Sequence, residues 1–407
     1  MENQTTLKRT LTLPMVVLYG LGTTIGAGIY ALIGEIANVA GYYAPASFFI
    51  AALLAGFTAI SFAELCGRYP RAAGAALYVK QAFASERLST VIGLLVITAG
   101  LVSAAALVNG FVGYAHQFIS VDRVVAITIV TLLLAGIASW GIAESVTIAS
   151  IITVIEIGGL MLVITVSGES LSSLPDRWPE LIPSADMTSW GGIYFGAVLS
   201  FYAFIGFEDM VDVAEEVKDV KRNLPRAILL TLGFTTAIYM LLMVTAVLSL
   251  TPAELAASEA PLASIYEHHV GEKAVIISIV GMLAIINGAL IQIIMAARVL
   301  YGMGSRGQLP SLFSHIYHRT RTPLIATLIA SSLVLILALM GRLATLAEAT
   351  SIIILIIFSI VNLALWRIKR QDPQPVDVKV FPAWIPIIGF FVSSAFVLGE
   401  VIGLLNS

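Results

Sequence analysis

Long apolar runs alternate with short polar stretches along the chain. A transmembrane helix needs about 20 mostly apolar residues. Eleven segments meet that length, and the predicted spans are 14–39, 44–66, 89–118, 123–140, 147–167, 190–214, 225–250, 272–303, 323–341, 344–366 and 383–404. Residues 70–85 are too short and too polar to cross a membrane, so we expect them to lie at the surface or to re-enter it.

Composition supports a polytopic, all-helical membrane protein. Hydrophobic residues make up 58% of the 407 positions and charged residues 12%, about half the charged fraction of a soluble protein. The net charge of −3 gives no basic footprint for nucleic acid. The single cysteine, Cys66, excludes an intrachain disulfide, and no Cys/His spacing indicates a metal site. The sequence predicts no cofactor, and no nucleophile–base pair indicates an enzyme.

The basic residues predict an orientation in the membrane. With the N-terminus placed inside, 18 of the 22 Lys and Arg residues fall on the inner side and four on the outer side. This asymmetry follows the positive-inside rule. We therefore expect a multi-pass protein of the cell membrane with a cytoplasmic N-terminus, and eleven spans would then put the C-terminus outside.

Two of the predicted spans contain signs of an interruption. Gly20, Gly22, Gly26 and Gly28 fall in the middle of span one, although glycine costs about 1 kcal/mol relative to alanine in a helix. In span six, Gly206 is followed closely by two acidic residues. Broken backbone is tolerated at membrane depth only where it lines a cavity, and paired interruptions in two halves indicate a transporter site. Close helix packing through the glycines is the alternative interpretation.

Five segments in the same order resemble the amino acid–polyamine–organocation transporter superfamily. They are GTTIGAGIY (22–30), AELCGRYPRAAGAALYVKQAF (63–83), FIGFEDMVDVAEEVKDVKRNLPRAI (204–228), NGALIQIIMAARVLYGMGSRGQLP (287–310) and VNLALWRIKR (361–370). The resemblance implies the leucine-transporter-type fold with discontinuous helices one and six. It also implies a single transporter domain over 1–407, with inverted repeats at 14–167 and 190–366 and an additional helix at 383–404.

The resemblance also implies a substrate site and an ion site. Backbone and side chains of the two interruptions would hold an amino acid, with Tyr202 as an aromatic gate. The implied substrate-binding residues are Thr24, Gly26, Ala27, Gly28, Phe201, Tyr202, Ala203, Phe204, Ile205 and Phe207. The ion-coupling residues predicted from the resemblance and from buried charge are Glu156, Glu208, Gly22, Ile25, Ala284 and Asn287.

Glu156 departs from the family pattern, because many members carry a lysine at this position. A bare carboxylate in mid-span costs several kcal/mol. Desolvation disfavours its charged form, so the group can stay protonated, or it can bind a cation with the carbonyls of Gly22 and Ile25 as further ligands. The stretch AIING (284–288) offers no hydroxyl for sodium, although Asn287 could supply one oxygen, so a proton is preferred. A structural hydrogen bond from Glu156 to another helix is the alternative.

The sequence thus predicts a secondary amino acid transporter that works by alternating access. Glu156 and Glu208 are the acids expected near the pocket, which favours a neutral substrate. A coupling-free exchanger of amino acid against amine stays open, as does a receptor that binds without translocating. Only about thirteen residues precede span one, which disfavours a receptor. The expected partners are the substrate, a coupling ion and the bilayer, and the oligomeric state is left open.

Overall fold

A computed structural model describes residues 9–71, 74–140, 146–305, 307–317 and 322–406. Apart from isolated β-bridges, the regular structure of these residues is helical. The helices are α1 Leu13–Ile25, α2 Ala27–Ala40, α3 Ala44–Arg68, α4 Gly74–Phe83, α5 Glu86–Ala115, α6 Arg123–Trp140, α7 Val146–Val166, α8 Leu174–Leu181, α9 Met187–Tyr202, α10 Val220–Ser249, α11 Pro252–Ala257, α12 Pro261–Val270, α13 Val275–Ser305, α14 Leu324–Met340, α15 Leu343–Gln371 and α16 Trp384–Asn406. Short 3₁₀ segments include Phe207–Glu216, which follows α9.

The all-helical membrane architecture predicted from the sequence is confirmed. Eight helical segments of the described chain are long and apolar enough to cross a membrane, or nine if a pair bent by 50° is one span. The count of eleven stays a prediction, because α1 and α14 are shorter than 18 residues and α2 and α3 form one continuous apolar segment. The predicted inverted repeats likewise stay a prediction.

Burial separates central from peripheral helices. Around Ala104, Ala105 and Ala106, α5 is buried because these small residues allow α13 and α15 to approach closely. Helix α6 instead exposes large apolar residues such as Leu132 and Leu133, at 61% and 57% of their surface. An apolar face without a protein neighbour suits contact with lipid acyl chains.

Two buried polar junctions connect α3 to α15. In the first, the Asn362 side chain donates to Thr58 Oγ1 at 2.8 Å and accepts from Ser61 Oγ at 2.6 Å. In the second, the carboxylate of Glu64 accepts from Arg68 at 2.8 Å and from Lys369 Nζ at 2.6 Å. Glu64 and Arg68 are four residues apart on α3, so their side chains meet on the same face of the helix. A buried carboxylate needs such partners to offset its desolvation, so α3 and α15 are firmly joined.

The segment predicted not to span, 70–85, contains the short helix α4 in its described part. Its inward side chains include Tyr78, whose ring packs edge-on against Phe62 of α3 with centroids 5.9 Å apart. Exposed Lys80 forms an ion pair with Glu86, at the start of α5. This amphipathic packing places α4 against α5, α15 and the 3₁₀ segment Phe207–Glu216, in agreement with a re-entrant or surface position.

The chain just before α1 pairs with the chain just after the 3₁₀ segment. Leu11 N donates to Glu216 O at 3.0 Å, and Lys218 N donates to Leu11 O at 2.9 Å. These bonds form a parallel β-bridge between Leu11 and Val217. Consequently α1, which precedes the first predicted interruption, is held to the 3₁₀ segment, which follows the second. Both lie at the same end of the molecule.

Candidate transport site between two helix breaks

The first predicted interruption is a sharp break at Gly26. Here α1 ends at Ile25 and α2 begins at Ala27, while Gly26 has φ −42° and ψ −140°. No side chain caps the start of α2. The first amides of a helix lack internal partners and favour negative charge. The break therefore presents hydrogen-bond donors at the N-terminus of a 14-residue helix.

The other glycines of span one serve the alternative role of close packing. Helix α1 continues through Gly20 and Gly22. A Cβ at Gly22 would lie 2.0 Å from Thr153 Oγ1 of α7, and one at Gly28 would lie 2.9 Å from Ala203 Cα. Span one therefore contains both a helix break, at Gly26, and close helix packing, at Gly22 and Gly28.

The second interruption lies between Tyr202 and Phe207. Gly206 has φ +123°, and a Cβ there would lie 2.2 Å from Thr23 O. Both the backbone conformation and the contact with α1 therefore require glycine. Gly206 N donates to Glu208 Oε2 at 2.9 Å. This bond satisfies an amide that the break leaves without a helical partner.

Tyr239 of α10 joins the two breaks. Its hydroxyl lies 3.0 Å from Thr24 O and 3.0 Å from Ala203 O, and its proton is shared between these two carbonyls. The residue is fully buried, and its ring packs edge-on against Phe204 and Phe48. A buried carbonyl without a donor is costly, so this hydroxyl stabilises the broken conformation of both helices at once.

Two connected cavities adjoin the breaks. The smaller, about 50 Å³, lies between them and is lined by Gly26, Gly28 and Tyr202, among others. The larger, about 560 Å³, runs along α13 as far as Gln308. Both cavities share eight lining residues: Gly22, Thr23, Ser103, Ile205, Asp209, Asn287, Ile291 and Gln292. The smaller cavity is therefore the deep end of the larger one.

Nine of the predicted site residues line these cavities. They are Gly22, Thr24, Gly26, Gly28, Tyr202, Ile205, Glu208, Ala284 and Asn287. Thr24 is 3% exposed, and its hydroxyl has no hydrogen-bond partner among the described residues. Tyr202 closes the deep end, because its hydroxyl lies 2.9 Å from Ser103 Oγ of α5. The result is a pocket next to both breaks that still has free hydrogen-bonding capacity.

Six further predicted residues do not line either cavity in the described part of the chain. For Ala27 the structure describes only the backbone, at the start of α2. Phe207 packs behind the wall, with its ring 6.1 Å from Phe62 and 5.4 Å from Phe358. The others that do not line the cavities are Ile25, Glu156, Phe201, Ala203 and Phe204. The phenylalanines of the second break thus contribute packing, while Tyr202 and Ile205 face the pocket.

Glu156 lies one turn beyond Thr153 on α7 and is 1% exposed. Its carbonyl accepts from the Tyr30 hydroxyl at 2.6 Å. Glu156 is therefore buried on α7, is joined to α2 through Tyr30, and does not line either cavity.

Sequence reasoning missed several wall residues. Asp209, Asp212, Ser103, Gln292 and Arg298 all line the larger cavity. The wall residues of α13 could have been predicted by counting on from Asn287 in steps of three or four residues. Positions 291, 295, 298 and 302 lie on the same helix face as Asn287. Hydropathy alone instead predicts that Arg298 snorkels at the end of a span.

Comparison with known proteins identifies the family. The model of the amino acid permease family matches residues 11–406. The chain belongs to the amino acid permease family. This confirms the resemblance to the wider amino acid–polyamine–organocation superfamily, and it agrees with a transporter rather than an enzyme.

Individual relatives of this permease differ in what their names say they carry. Cationic amino acid transporter 2, vacuolar, from Arabidopsis thaliana is 30% identical over 394 residues, covering 91% of this chain and 61% of the relative. The branched-chain amino acid permease BcaP of Bacillus subtilis (strain 168) is 26% identical, covering 92% and 83%. The chain thus spans only about three fifths of the length of the Arabidopsis protein.

A solved structure supports the fold. MhsT in complex with L-phenylalanine superposes with a TM-score of 0.66 and 13% sequence identity, covering 97% of this permease and 99% of MhsT. At this identity the likeness concerns the fold alone. The leucine-transporter-type fold expected from the sequence is therefore confirmed.

Proposed function

We propose that this permease is a secondary active amino acid transporter that works by alternating access. The single observation that supports this most is the pair of helix breaks at Gly26 and Gly206, which meet around one pocket. The pocket continues into a large cavity toward one end of the bundle, while Tyr202 and Ser103 close its other side. A site reached from one side at a time is what alternating access requires.

The proposed pocket suits the two charged groups common to all amino acids. The substrate carboxylate would accept from the amides of Ala27 and Gly28 at the start of α2, with the Thr24 hydroxyl as a further donor. For the ammonium group, the resemblance implies the carbonyls of Phe201, Ala203 and Phe204 in the second break as acceptors. None of the three lines either cavity, so the second break would have to shift slightly to present them. Ala203 O already accepts from Tyr239, but a carbonyl oxygen has two lone pairs and can accept a second bond.

For coupling, we propose a proton rather than sodium, bound at Glu156 and communicated through Tyr239. Glu208 would be the second coupling group, because its carboxylate is bonded to the break at Gly206. Sodium, held by carbonyls of Gly22, Ile25 and Ala284 with Asn287, is the alternative. The lack of a hydroxyl side chain in 284–288 argues for the proton.

The acids around the cavities bear on the side-chain class of the substrate. The sequence predicts a neutral substrate because only Glu156 and Glu208 are expected near the pocket. Asp209 and Asp212 also line the larger cavity. The basis for a neutral preference is therefore weaker than the sequence indicates.

Uptake into liposomes tests the proposal. Purified protein would be supplied with a panel of labelled amino acids under a proton gradient, a sodium gradient or neither. We expect proton-driven accumulation that Glu156→Gln abolishes, while Glu348→Gln, a half-buried acid away from both cavities, leaves it unchanged. Gradient dependence that survives in Glu156→Gln would contradict the role of Glu156.

The same assay separates the alternative functions. Flux that occurs only with substrate on both sides of the membrane would indicate a coupling-free exchanger. Saturable binding without any flux would indicate a receptor.

For membrane placement we propose the cell membrane, with the basic face inside. Cys66 is fully buried, so an impermeant maleimide should report only cysteines introduced at exposed Lys273 and Lys379. We expect labelling of these two positions from opposite sides of the membrane. Labelling of both from one side would contradict the proposed orientation.

A further inference from the structure

We infer that Asp209 selects substrates whose side chain carries a positive charge. The inference depends on the proposed function, since it assigns the substrate class of the same pocket. Asp209 is the one acidic residue that lines both the deep pocket and the larger cavity in the described part of the chain. It therefore lies where the side chain of a bound amino acid would leave the deep pocket.

The carboxylates of the larger cavity outnumber its cations. Glu208, Asp209 and Asp212 line it, and Arg298 is the only described Lys or Arg residue on the same wall. Within the described residues, none of these four groups has an ion-pair partner within 4.0 Å. Arg298 is exposed, whereas Asp209 is only partly accessible. A cavity whose wall carries an excess of one sign of charge attracts the opposite sign.

The backbone aligns the two aspartates along the cavity. Both lie in the 3₁₀ segment Phe207–Glu216. A 3₁₀ helix has three residues per turn, so side chains three apart lie above one another. Asp209 and Asp212 consequently share one face, with Asp209 toward the break. Glu208 is on another face, where it accepts from Gly206 N at 2.9 Å.

A second, independent observation indicates a ligand at this place. The hydroxyl of Thr24 lines the deep pocket together with Asp209, is 3% exposed and has no hydrogen-bond partner within the described part of the chain. Buried polar atoms are usually satisfied. An amino acid bound at the breaks would supply a partner for this hydroxyl, and its side chain would then extend past Asp209.

The size of the two cavities agrees with this placement. The deep pocket of about 50 Å³ has room for the backbone atoms of an amino acid after small adjustments, and the larger cavity of about 560 Å³ has room for a long side chain. Uncharged polar groups, Asn287 and Gln292, line both. A guanidinium or ammonium group near Asp209 would pair two charges that both lie partly away from water.

Equilibrium binding of a matched ligand pair tests the inference. L-Arginine and L-citrulline have nearly the same shape and differ in side-chain charge. Labelled arginine would be displaced from purified protein by each ligand without any gradient, so that coupling does not enter. We expect arginine to bind at least about tenfold more tightly than citrulline, because losing one partner of a shielded charge pair has effects of that size or larger.

Variants of Asp209 connect that preference to one side chain. Asp209→Asn should weaken arginine binding at least about tenfold and leave citrulline binding unchanged, while Asp209→Glu should keep the preference for arginine. Glu216→Gln is the matched control, because it removes a charge from the same 3₁₀ segment but lies off both cavity walls.

Three outcomes would contradict, in turn, the preference for a cationic substrate, the role of Asp209 and the proposed function. If citrulline or leucine binds the wild type as tightly as arginine does, the inference is wrong while amino acid transport stands. If Asp209→Asn weakens arginine and citrulline equally, Asp209 is structural. If no amino acid of the panel binds or is transported, the proposed function itself is wrong.

Discussion

The hydroxyl of Tyr239 lies 3.0 Å from the carbonyl oxygen of Thr24, the residue two positions before the break at Gly26. The same hydroxyl reaches Ala203 in the second break, also at 3.0 Å. One side chain on α10 therefore holds two discontinuous helices in register. Any change in the angle between those helices must stretch or exchange these bonds.

Tyr239→Phe should lower both stability and transport. It leaves two buried carbonyls without their donor, which costs about 1–3 kcal/mol. Tyr114→Phe is the control, since it removes a comparable buried bond, to Tyr30 O of α2 at 2.9 Å, while leaving the Tyr239 bonds to the two breaks intact. Thermal unfolding temperatures in detergent should fall similarly in both variants, and uptake should fall much more in Tyr239→Phe. Equal uptake losses would contradict a special role for Tyr239.

Gly206→Ala should abolish transport and strongly destabilise the fold. Its Cβ would approach Thr23 O to 2.2 Å at a φ of +123°, and such strain and overpacking cost about 2 kcal/mol or more. Gly233→Ala is the control, because a Cβ added at this position inside α10 would have no atom within 4 Å. That variant should gain up to about 1 kcal/mol. The measurement is the unfolding temperature together with uptake.

Lys369→Met should destabilise the junction between α3 and α15. Glu64 is fully buried and would lose the partner at 2.6 Å while keeping Arg68 at 2.8 Å. The loss should therefore stay below about 3–5 kcal/mol, which is the cost of leaving a buried charge without any partner. The double variant Glu64→Gln with Lys369→Met should lose less than the sum of the two single losses, because both single variants disrupt the same pair. Glu180→Gln, which breaks the exposed pair with Arg177, should change stability by about 1 kcal/mol or less. Additive losses in the double variant would contradict the coupling.

The N-cap of α9 should make stability depend on acid. Hydrogen bonds from Ser184, and then from Ser189, lower the pKa of exposed Asp186 to about 2 from the ordinary 3.8. Because the folded pKa is the lower one, the contribution of Asp186 is complete above the ordinary pKa and disappears as the pH falls through the folded pKa. Unfolding curves of wild type and Asp186→Ala should therefore differ at neutral pH and converge in acid. A constant difference across that range would contradict the cap.

The sequence predicts the spans well where apolar length alone decides them. The predicted segment 123–140 has the bounds of α6, and 147–167 differs from α7 by one residue at each end. Length does not reveal α8, α11 and α12, because short helices between spans depend on packing that a linear pattern does not contain. Apolar length does separate α2 from α3, because the predicted spans 14–39 and 44–66 end and begin within two residues of these helices.

Glycine content predicts the breaks, but it does not predict the role of each glycine. Gly26 and Gly206 break the helices, while Gly20 and Gly22 make room for Met210 and Thr153. Which role a glycine has depends on the neighbour that approaches it, and that neighbour is distant in sequence. For the same reason the sequence does not place Asp209 on the wall. The 3₁₀ geometry after Gly206 sets its direction, and a hydrophobicity pattern carries no sign of it.

The short β-bridge between Leu11 and Val217 has a practical consequence. It joins the residues just before α1 to the residues just after the 3₁₀ segment Phe207–Glu216. Both of its hydrogen bonds are between main-chain atoms. Trimming the chain beyond Leu11 would remove both of these main-chain hydrogen bonds, whereas replacing the Leu11 side chain would leave their donors and acceptors in place. Expression vectors for this permease should therefore keep Leu11 and attach reporters upstream of it.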